Sequence, residues 1–355
     1  MRILHVITSL RTGGAEKLMT DLLPRMRDCE VEVELCVFDG ARTPFYEMLE
    51  KKGVKIYALS SSVYSLMNLW KLIWLIRKFD VVHAHNTACQ YYVAIAGWFA
   101  DCHMVTTEHS TSNRRRGKWW LKPFDWWLYR QFDNVICVSD IVSKNIHNYV
   151  GENGVNTTVV PNGINTDEYI HYEAYCDVLN GYKGKRGLMV AGFRYEKDQQ
   201  TVIKAFNLLP SNYHLFLVGD GDKKEDIELL IEELNLGERV HLLGVRKDVK
   251  DLLKAVDVVI MSSHREGLSL SSLEGMASGR PFIASDVDGL RDIVGGYGVL
   301  FPHEDYKALA DEIRKVCEDE EYAEEVAVRC QERAKMFDIS VMVEKYMEVY
   351  FEGTC

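Results

Sequence analysis

The 355-residue chain lacks several features that would place it in a specialised class. It has no basic excess: 42 Lys and Arg stand against 53 Asp and Glu, for a formal net charge of -11. Binders of phosphate backbones usually carry the opposite balance, so no nucleic acid is expected as a partner. The nine cysteines contain no C-x-x-C pair. That pattern favours free thiols in a reducing compartment over a disulfide framework or a Cys/His zinc site. No apolar run reaches the ~18–20 residues of a membrane-spanning helix. The first residues, MRILHVITSL, are apolar over too short a stretch, and lack the small-residue cleavage site, for a signal peptide. A cytoplasmic location is expected. The G-x-G-x-x-G dinucleotide fingerprint is also missing, which counts against a dehydrogenase.

What is present is ordinary globular composition, 47% hydrophobic and 27% charged, at a length that predicts about two domains. Short apolar runs alternate with helical patterns: ILHVIT (3–8), VEVELCVF (31–38), VKIYAL (54–59), DVVHAH, HMVTTEH (103–109) and NVICVS (134–139) each precede a helix. Such alternation predicts βαβ units and a parallel sheet covered on both faces. The polar segment 164–186 breaks the pattern and reads as a linker. The alternation then restarts with GLMVAGF (187–193), YHLFLVGD (213–220), RVHLLG (239–244), DVVIMSS (257–263), PFIASD (281–286) and YGVLF. Three helices follow from 304 onward. Two tandem doubly wound domains are expected, with ligands beyond the carboxyl ends of their strands.

Within HREGLSLSSLEGMASGRP (264–281), Glu266 and Glu274 stand with seven residues between them. Glu266 falls in the loop after a strand, on the ligand side of the sheet. Gly267 lets backbone approach a ligand without a Cβ in the way. Ser269, Ser271 or Ser272 can cap the helix whose first turns carry Glu274. A helix start with bare amides attracts phosphate, whereas carboxylates suit sugar hydroxyls. The combination describes a phosphate flanked by hydroxyl-bearing rings, as in a nucleotide sugar. Support of the helix start by the charge of Glu274 is the competing reading.

Arg194 and Lys197 in AGFRYEKDQQTVIKAF (191–206) follow the first strand of the second half, where cations would neutralise a diphosphate leaving group. Gly13 and Gly14 in TSLRTGGAEK (8–17) either open the backbone to a phosphate or only make a βα turn. His109 ends HMVTTEH on the ligand side, and His85, ending VVHAH, is a weaker candidate. Two D-x-D pairs, Asp220/Asp222 and Asp286/Asp288, read as turn residues beside Gly221 and Gly289, so no metal is expected. The segment 113–132 interleaves Arg and Lys with four Trp. It reads either as a surface that meets an anionic membrane or as a core helix with a basic loop.

Together with TTEHS, NVICVSD, VVPNGIN, LFLVGDG and VHLLGVRKDV, these stretches occur in an order that resembles the retaining glycosyltransferases of family four over nearly the full length. The E-x7-E motif of Glu266 and Glu274 is the most specific part of the likeness. The resemblance implies the GT-B fold: two facing Rossmann-like domains, an interdomain cleft and a C-terminal helix that returns to the first domain. The expected division is 1–165 with 340–355 for the acceptor domain and 166–339 for the donor domain. The resemblance implies transfer of a sugar from a nucleotide-diphosphate sugar to a glycan or lipid-linked acceptor, with retained configuration and no metal or other cofactor. Surface polysaccharide biosynthesis, peripheral on the inner face of the membrane, is the setting it implies. By the same likeness Glu266 would contact the donor sugar and Glu274 the ribose. The amides of Gly267, Leu268 and Ser269 would meet the sugar and diphosphate, and Lys197 would pair with the diphosphate. Val245 or Arg246 would lie near the base, Gly14 beside the donor phosphates and His109 near the anomeric carbon. Many relatives carry an Arg where Gly192 stands, and Arg194 would supply that charge. Two rival expectations are a sugar-nucleotide epimerase of the same fold and a catalytically silent membrane-bound scaffold.

Overall fold

Strands made of continuous Val, Ile and Leu bury both faces only when helices cover the sheet on each side. The computed structural model describes residues 1–11, 13–60, 62, 65–109, 118–151, 155–174 and 179–353. Its chain divides into two units, residues 1–164 with 339–355, and residues 165–338.

The first unit is a seven-stranded sheet in the order β3-β2-β1-β4-β5-β6-β7. Its strands are β1 (Arg2–Ile7), β2 (Glu32–Asp39), β3 (Lys55–Ser60), β4 (Val81–His85), β5 (His103–Glu108), β6 (Asn134–Cys137) and β7 (Thr157–Val159). Every pairing is parallel. Helices α1 (Gly14–Arg27), α2 (Pro44–Lys51), α3 (Leu66–Ile76), α4 (Thr87–Gly97), α5 (Lys122–Tyr129) and α6 (Asp140–Val150) connect them. Side-chain caps start α2 at Thr43 and α6 at Ser139.

The second unit holds a short helix α7 (Asp167–Ile170) and a six-stranded parallel sheet, β10-β9-β8-β11-β12-β13. Its strands are β8 (Lys185–Val190), β9 (Tyr213–Val218), β10 (Val240–Gly244), β11 (Val258–Met261), β12 (Phe282–Ser285) and β13 (Val299–Phe301). Connecting them are α8 (Gln199–Leu208), α9 (Lys224–Glu233), α10 (Val249–Lys254), α11 (Leu270–Ala277) and α12 (Asp288–Val294). Helices α13 (Tyr306–Glu318) and α14 (Glu320–Lys335) follow. The last helix, α15 (Ile339–Glu352), packs in the first unit, where Tyr346 and Tyr350 are fully buried.

One sequence expectation fails in this region. The segment 164–186 is not merely a linker, because its described part packs onto the second unit. Tyr169 of α7 is buried, and Tyr172 donates to Asp251 Oδ1 at 2.8 Å. No helix among the described residues is long and apolar enough to cross a membrane.

Candidate functional site

In the second unit the connections from adjacent strands β8 and β11 lead to opposite sides of the sheet order. Loops at such a switch point part and leave a crevice. The two loops are held by their own short-range chemistry. Asp198 caps α8, its Oδ1 accepting from Thr201 N at 3.2 Å, while its Oδ2 accepts from Ser262 Oγ at 3.0 Å. Ser285 Oγ accepts from Ser263 N at 2.9 Å and donates to Ser263 O at 3.0 Å. His264 N donates to Glu196 O at 2.9 Å. This lacing brings Lys197 and Glu266 into an ion pair across the switch point. Both side chains are mostly covered, so the pair is less screened than a surface one.

Gly267 N donates to Glu266 Oε1 at 3.3 Å, and Leu268 is buried. Of the three serines that could cap α11, the structure uses Ser269, whose side chain accepts from Ser272 N at 3.4 Å. Ser272 lies inside the first turn of α11, where its backbone N–H receives the cap rather than supplying one. The bare backbone of this stretch has two structural causes. A Cβ on Gly275 would lie 2.7 Å from Phe282, so α11 sits close on the sheet. Gly279 has φ +78, the left-handed geometry that ends a helix.

Glu274 is also engaged. Its Oε1 accepts a hydrogen bond from Tyr169 OH at 2.7 Å. The Lys250 ammonium stands 5.1 Å from the centre of the Tyr169 ring. Sequence reasoning missed Tyr169 because its segment carries no periodic signal. It also missed Gly289, which looked like a turn residue. A Cβ there would meet Gly267 O at 2.2 Å and Glu266 O at 2.3 Å, so α12 backbone forms the floor under the Glu266 loop. Asp198, by contrast, was findable as an Asp at the start of a helix after a strand.

The remaining candidates of this unit are more open. Arg194 is exposed, and its Nε lies 3.6 Å from where a Cβ on Gly192 would sit. Its side chain thus folds back over the glycine. Val245 is 62% exposed just past β10. The Arg246 guanidinium is held by Asp248 at 2.7 and 2.5 Å. Of the D-x-D pairs, Asp286 and Asp288 are both bonded to Arg291, at 2.6 and 3.0 Å, and Asp220 Oδ1 accepts from Gly221 N at 2.9 Å. A cavity of ≈ 430 Å³ is lined by Lys185, Asp257, Arg280 and Pro281. It opens at the amino ends of the strands, away from these loops.

The first unit carries Gly13, Gly14 and His109. Gly13 is shielded by its own helix, since a Cβ there would meet Glu16 Oε2 at 2.1 Å. A Cβ on Gly14 would meet nothing within 4 Å, so Gly14 is the open position. His109 ends a file of imidazoles. His5 Nδ1 lies 2.9 Å from His85 Nε2, and His85 Nδ1 lies 3.2 Å from His109 Nε2. Burial lowers His5 to about 3 and His109 to about 4, and it pushes His83 and His85 well below the usual histidine value. The file is therefore neutral at pH 7, with one N–H per ring. His5 Nε2 has no partner among the described residues. An unpaired lone pair is cheaper to bury than an unpaired N–H, so each ring donates toward His109, which keeps its own proton on Nδ1. His83 binds Tyr350 OH, and its Nε2 lies 2.7 Å from Thr107 Oγ1. The imidazole file is thereby joined to α15. Glu108 is structural, its Oε1 accepting from Gln90 at 2.8 Å and Tyr129 at 2.9 Å. Residues 113–117 of the basic segment lie outside the described residues.

Two family models match consecutive parts of the chain: Glycosyltransferase Family 4 over residues 12–168 and Glycosyl transferases group 1 over residues 181–336. The chain is similar to the uncharacterized glycosyltransferase MJ1178 of Methanocaldococcus jannaschii, with 26% identity over 96% of this chain and 95% of that one. It is also similar to the UDP-Gal:alpha-D-GlcNAc-diphosphoundecaprenol alpha-1,3-galactosyltransferase of Escherichia coli, with 24% identity over 83% of this chain and 81% of that one. Among solved structures, Anabaena Alr3699/HepE in complex with UDP-glucose matches with a TM-score of 0.87 at 23% identity over 98% of each chain, a likeness of fold. With the two models tiling nearly all of a chain whose sheets are both parallel and doubly wound, the protein belongs to the family-four, group 1 glycosyltransferases of GT-B fold.

Proposed function

We propose that the protein transfers a sugar from a nucleoside-diphosphate sugar, with retention and without a metal, to a glycan or lipid-linked acceptor at an anionic membrane surface, in surface polysaccharide assembly. The observation that carries the donor reading is the Lys197–Glu266 pair at the switch point of the second sheet. In this reading Lys197 exchanges its carboxylate partner for the donor diphosphate, and Glu266 is released to accept hydrogen bonds from the sugar hydroxyls. The bond from the anomeric carbon to the diphosphate oxygen breaks while the acceptor oxygen bonds to the same face. The acceptor proton passes to the departing diphosphate, whose charge Lys197, Arg194 and the amides of Gly267, Leu268 and Ser269 stabilise. Glu274, oriented by Tyr169, accepts from the ribose. Val245 and Arg246 flank the base. Gly14 admits the donor phosphates, and His109 presents a neutral ring to the transferred sugar.

The membrane reading is supported by an exposed aromatic surface on the first unit, described below, and by the diphosphoundecaprenol-linked substrate in the name of the Escherichia coli relative.

The test is the anomeric configuration of the product, read by proton NMR of a reaction run with excess EDTA. An axial donor should give an axial product at undiminished rate. Glu266→Gln and Lys197→Ala should each lower kcat by ~10²-fold or more, the scale for removing a group that stabilises developing charge. An inverted product, or loss of turnover with EDTA, would overturn the respective part of the proposal.

A further inference from the structure

The loop that carries Glu266 also carries His264, which meets the β13–α13 connection. His264 Nδ1 lies 2.9 Å from His303 Nε2 and 3.3 Å from Glu304 Oε1, and the latter two atoms are 4.0 Å apart. Four ligands at zinc-like distances of ~2.0–2.2 Å stand roughly 3.3–3.5 Å from one another when tetrahedral. The three observed separations straddle that value, so these atoms already mark one face of such a tetrahedron. We propose that His264, His303 and Glu304 form a site for a transition cation of the zinc class, which clamps the Glu266 loop to the β13–α13 connection.

Several features converge on this reading. Two imidazole nitrogens and one carboxylate oxygen are the donor set of open zinc sites, and richer in nitrogen than calcium or magnesium would select. His303 and Glu304 are exposed, so the fourth position opens to solvent and the cation has an entry path. Glu304 holds φ +64, the left-handed region that disfavours a side-chain-bearing residue. The next residue, Asp305, is spent on capping α13, accepting from Lys307 N at 3.1 Å and Ala308 N at 3.0 Å. The Glu304 carboxylate makes no hydrogen bond or ion pair outside the cluster among the described residues. The opposite nitrogen, His264 Nε2, lies 4.0 Å from Asp198 Oδ1. At that distance Asp198 makes no hydrogen bond to the ring and acts by its negative charge alone, which favours a cation on His264. The buried trio His5, His83 and His85 is a poorer candidate. The His83 and His85 rings are stacked 4.2 Å apart, and most of the trio's nitrogens are engaged: His83 with Tyr350 and Thr107, His5 Nδ1 with His85, and His85 Nδ1 with His109.

The inference goes beyond the donor reading and does not depend on it: without the cation the Glu266 loop keeps its contacts to Lys197 and Ser263, so cation uptake and turnover in EDTA are separate readouts. The experiment is titration of the full chain with Co2+ and then Zn2+ at pH 7.5, with His303→Ala and Glu304→Gln as variants. Both residues are at the surface, and circular dichroism confirms that the variants stay folded. The wild type should show the intense visible bands of tetrahedral cobalt and release the cobalt to zinc. Zinc should also raise its unfolding temperature. Each variant should bind at least ~10-fold more weakly, one of three protein ligands being lost or weakened. Absence of uptake by the wild type, or equal uptake by wild type and both variants, would overturn the assignment. The second outcome would place the cation on other histidines or on cysteines.

Discussion

Gly289 acts on the site through steric exclusion alone. Its Cβ-free face touches the backbone of Glu266 and Gly267 at distances no methyl could share. Gly289→Ala must push either α12 or the loop aside, an overpacking of the kind that costs about 1–3 kcal/mol. We expect a lower unfolding temperature and donor affinity reduced ~10-fold or more, since a small misplacement of positioning groups is costly. Calorimetric titration with a nucleoside-diphosphate sugar measures it. Unchanged affinity in Gly289→Ala would mean that the Glu266 loop is placed without help from α12. The same scale explains why neither glutamate of the motif stands alone. Lys197 neutralises Glu266, and Tyr169 orients Glu274.

At the scale of elements, the first unit presents apolar side chains outward. On α3, Met67, Trp70 and Trp74 follow one face at spacings of three and four and are each more than 60% exposed. Trp98 and Phe99 at the end of α4, Trp119 and Trp120 before α5, and Phe124 and Trp126 on α5 are exposed as well. Cations accompany them: Arg77 stands 5.1 Å from the Trp74 ring and Arg130 3.6 Å from the Trp126 ring. Amphipathic Trp beside Lys and Arg is the composition of an interfacial anchor. The surface extends beyond the 113–132 segment that drew attention in the sequence, because α3 packs beside α4 and α4 beside α5. Trp127 contributes less, its ring packing edge-on against Trp98 at 5.7 Å. Replacing Trp70, Trp74, Trp119 and Trp126 with Ser should weaken flotation with anionic liposomes by ~10-fold or more while leaving the fold intact, since each buried apolar group adds to partitioning. Equal flotation of the quadruple variant would reject this surface.

For the whole molecule, the buried histidines set an acid limit. His5, His83 and His85 are fully buried and neutral in the folded state, and burial holds all three far below the ordinary value near 6.5. The unfolded chain takes up their protons as pH falls through ~6.5, so the unfolded state binds more protons below that point and stability declines. The stability is complete above ~6.5 and is lost progressively as pH falls toward the folded-state value of His5, about 3, by at most about 1.4 kcal/mol per pH unit for each buried histidine. All seven tryptophans lie between residues 70 and 127, inside the first unit. Tryptophan fluorescence therefore reports that unit alone. Its urea midpoint should fall between pH 7.5 and 5, and less steeply in His5→Leu. A midpoint independent of pH over this range would show that the histidines are not buried neutral.

What the sequence determined by itself was the set of elements and their order. Period-two and period-3.6 patterns are local, so the alternating strands, the parallel sheets and the loop position of Glu266 were all readable. Glycines and serines around the E-x7-E motif were equally visible, but not their division of labour. Only tertiary structure decided that Gly275 and Gly289 serve close packing, that Ser269 rather than Ser271 or Ser272 caps α11, and that Tyr169 reaches Glu274 across 105 residues of chain. The same holds for the imidazole file behind His109, assembled from strands β1, β4 and β5, and for the meeting of His264 with His303 and Glu304. Each of these depends on which strands become neighbours in the sheet, and strand adjacency is set by long-range packing that no local pattern encodes.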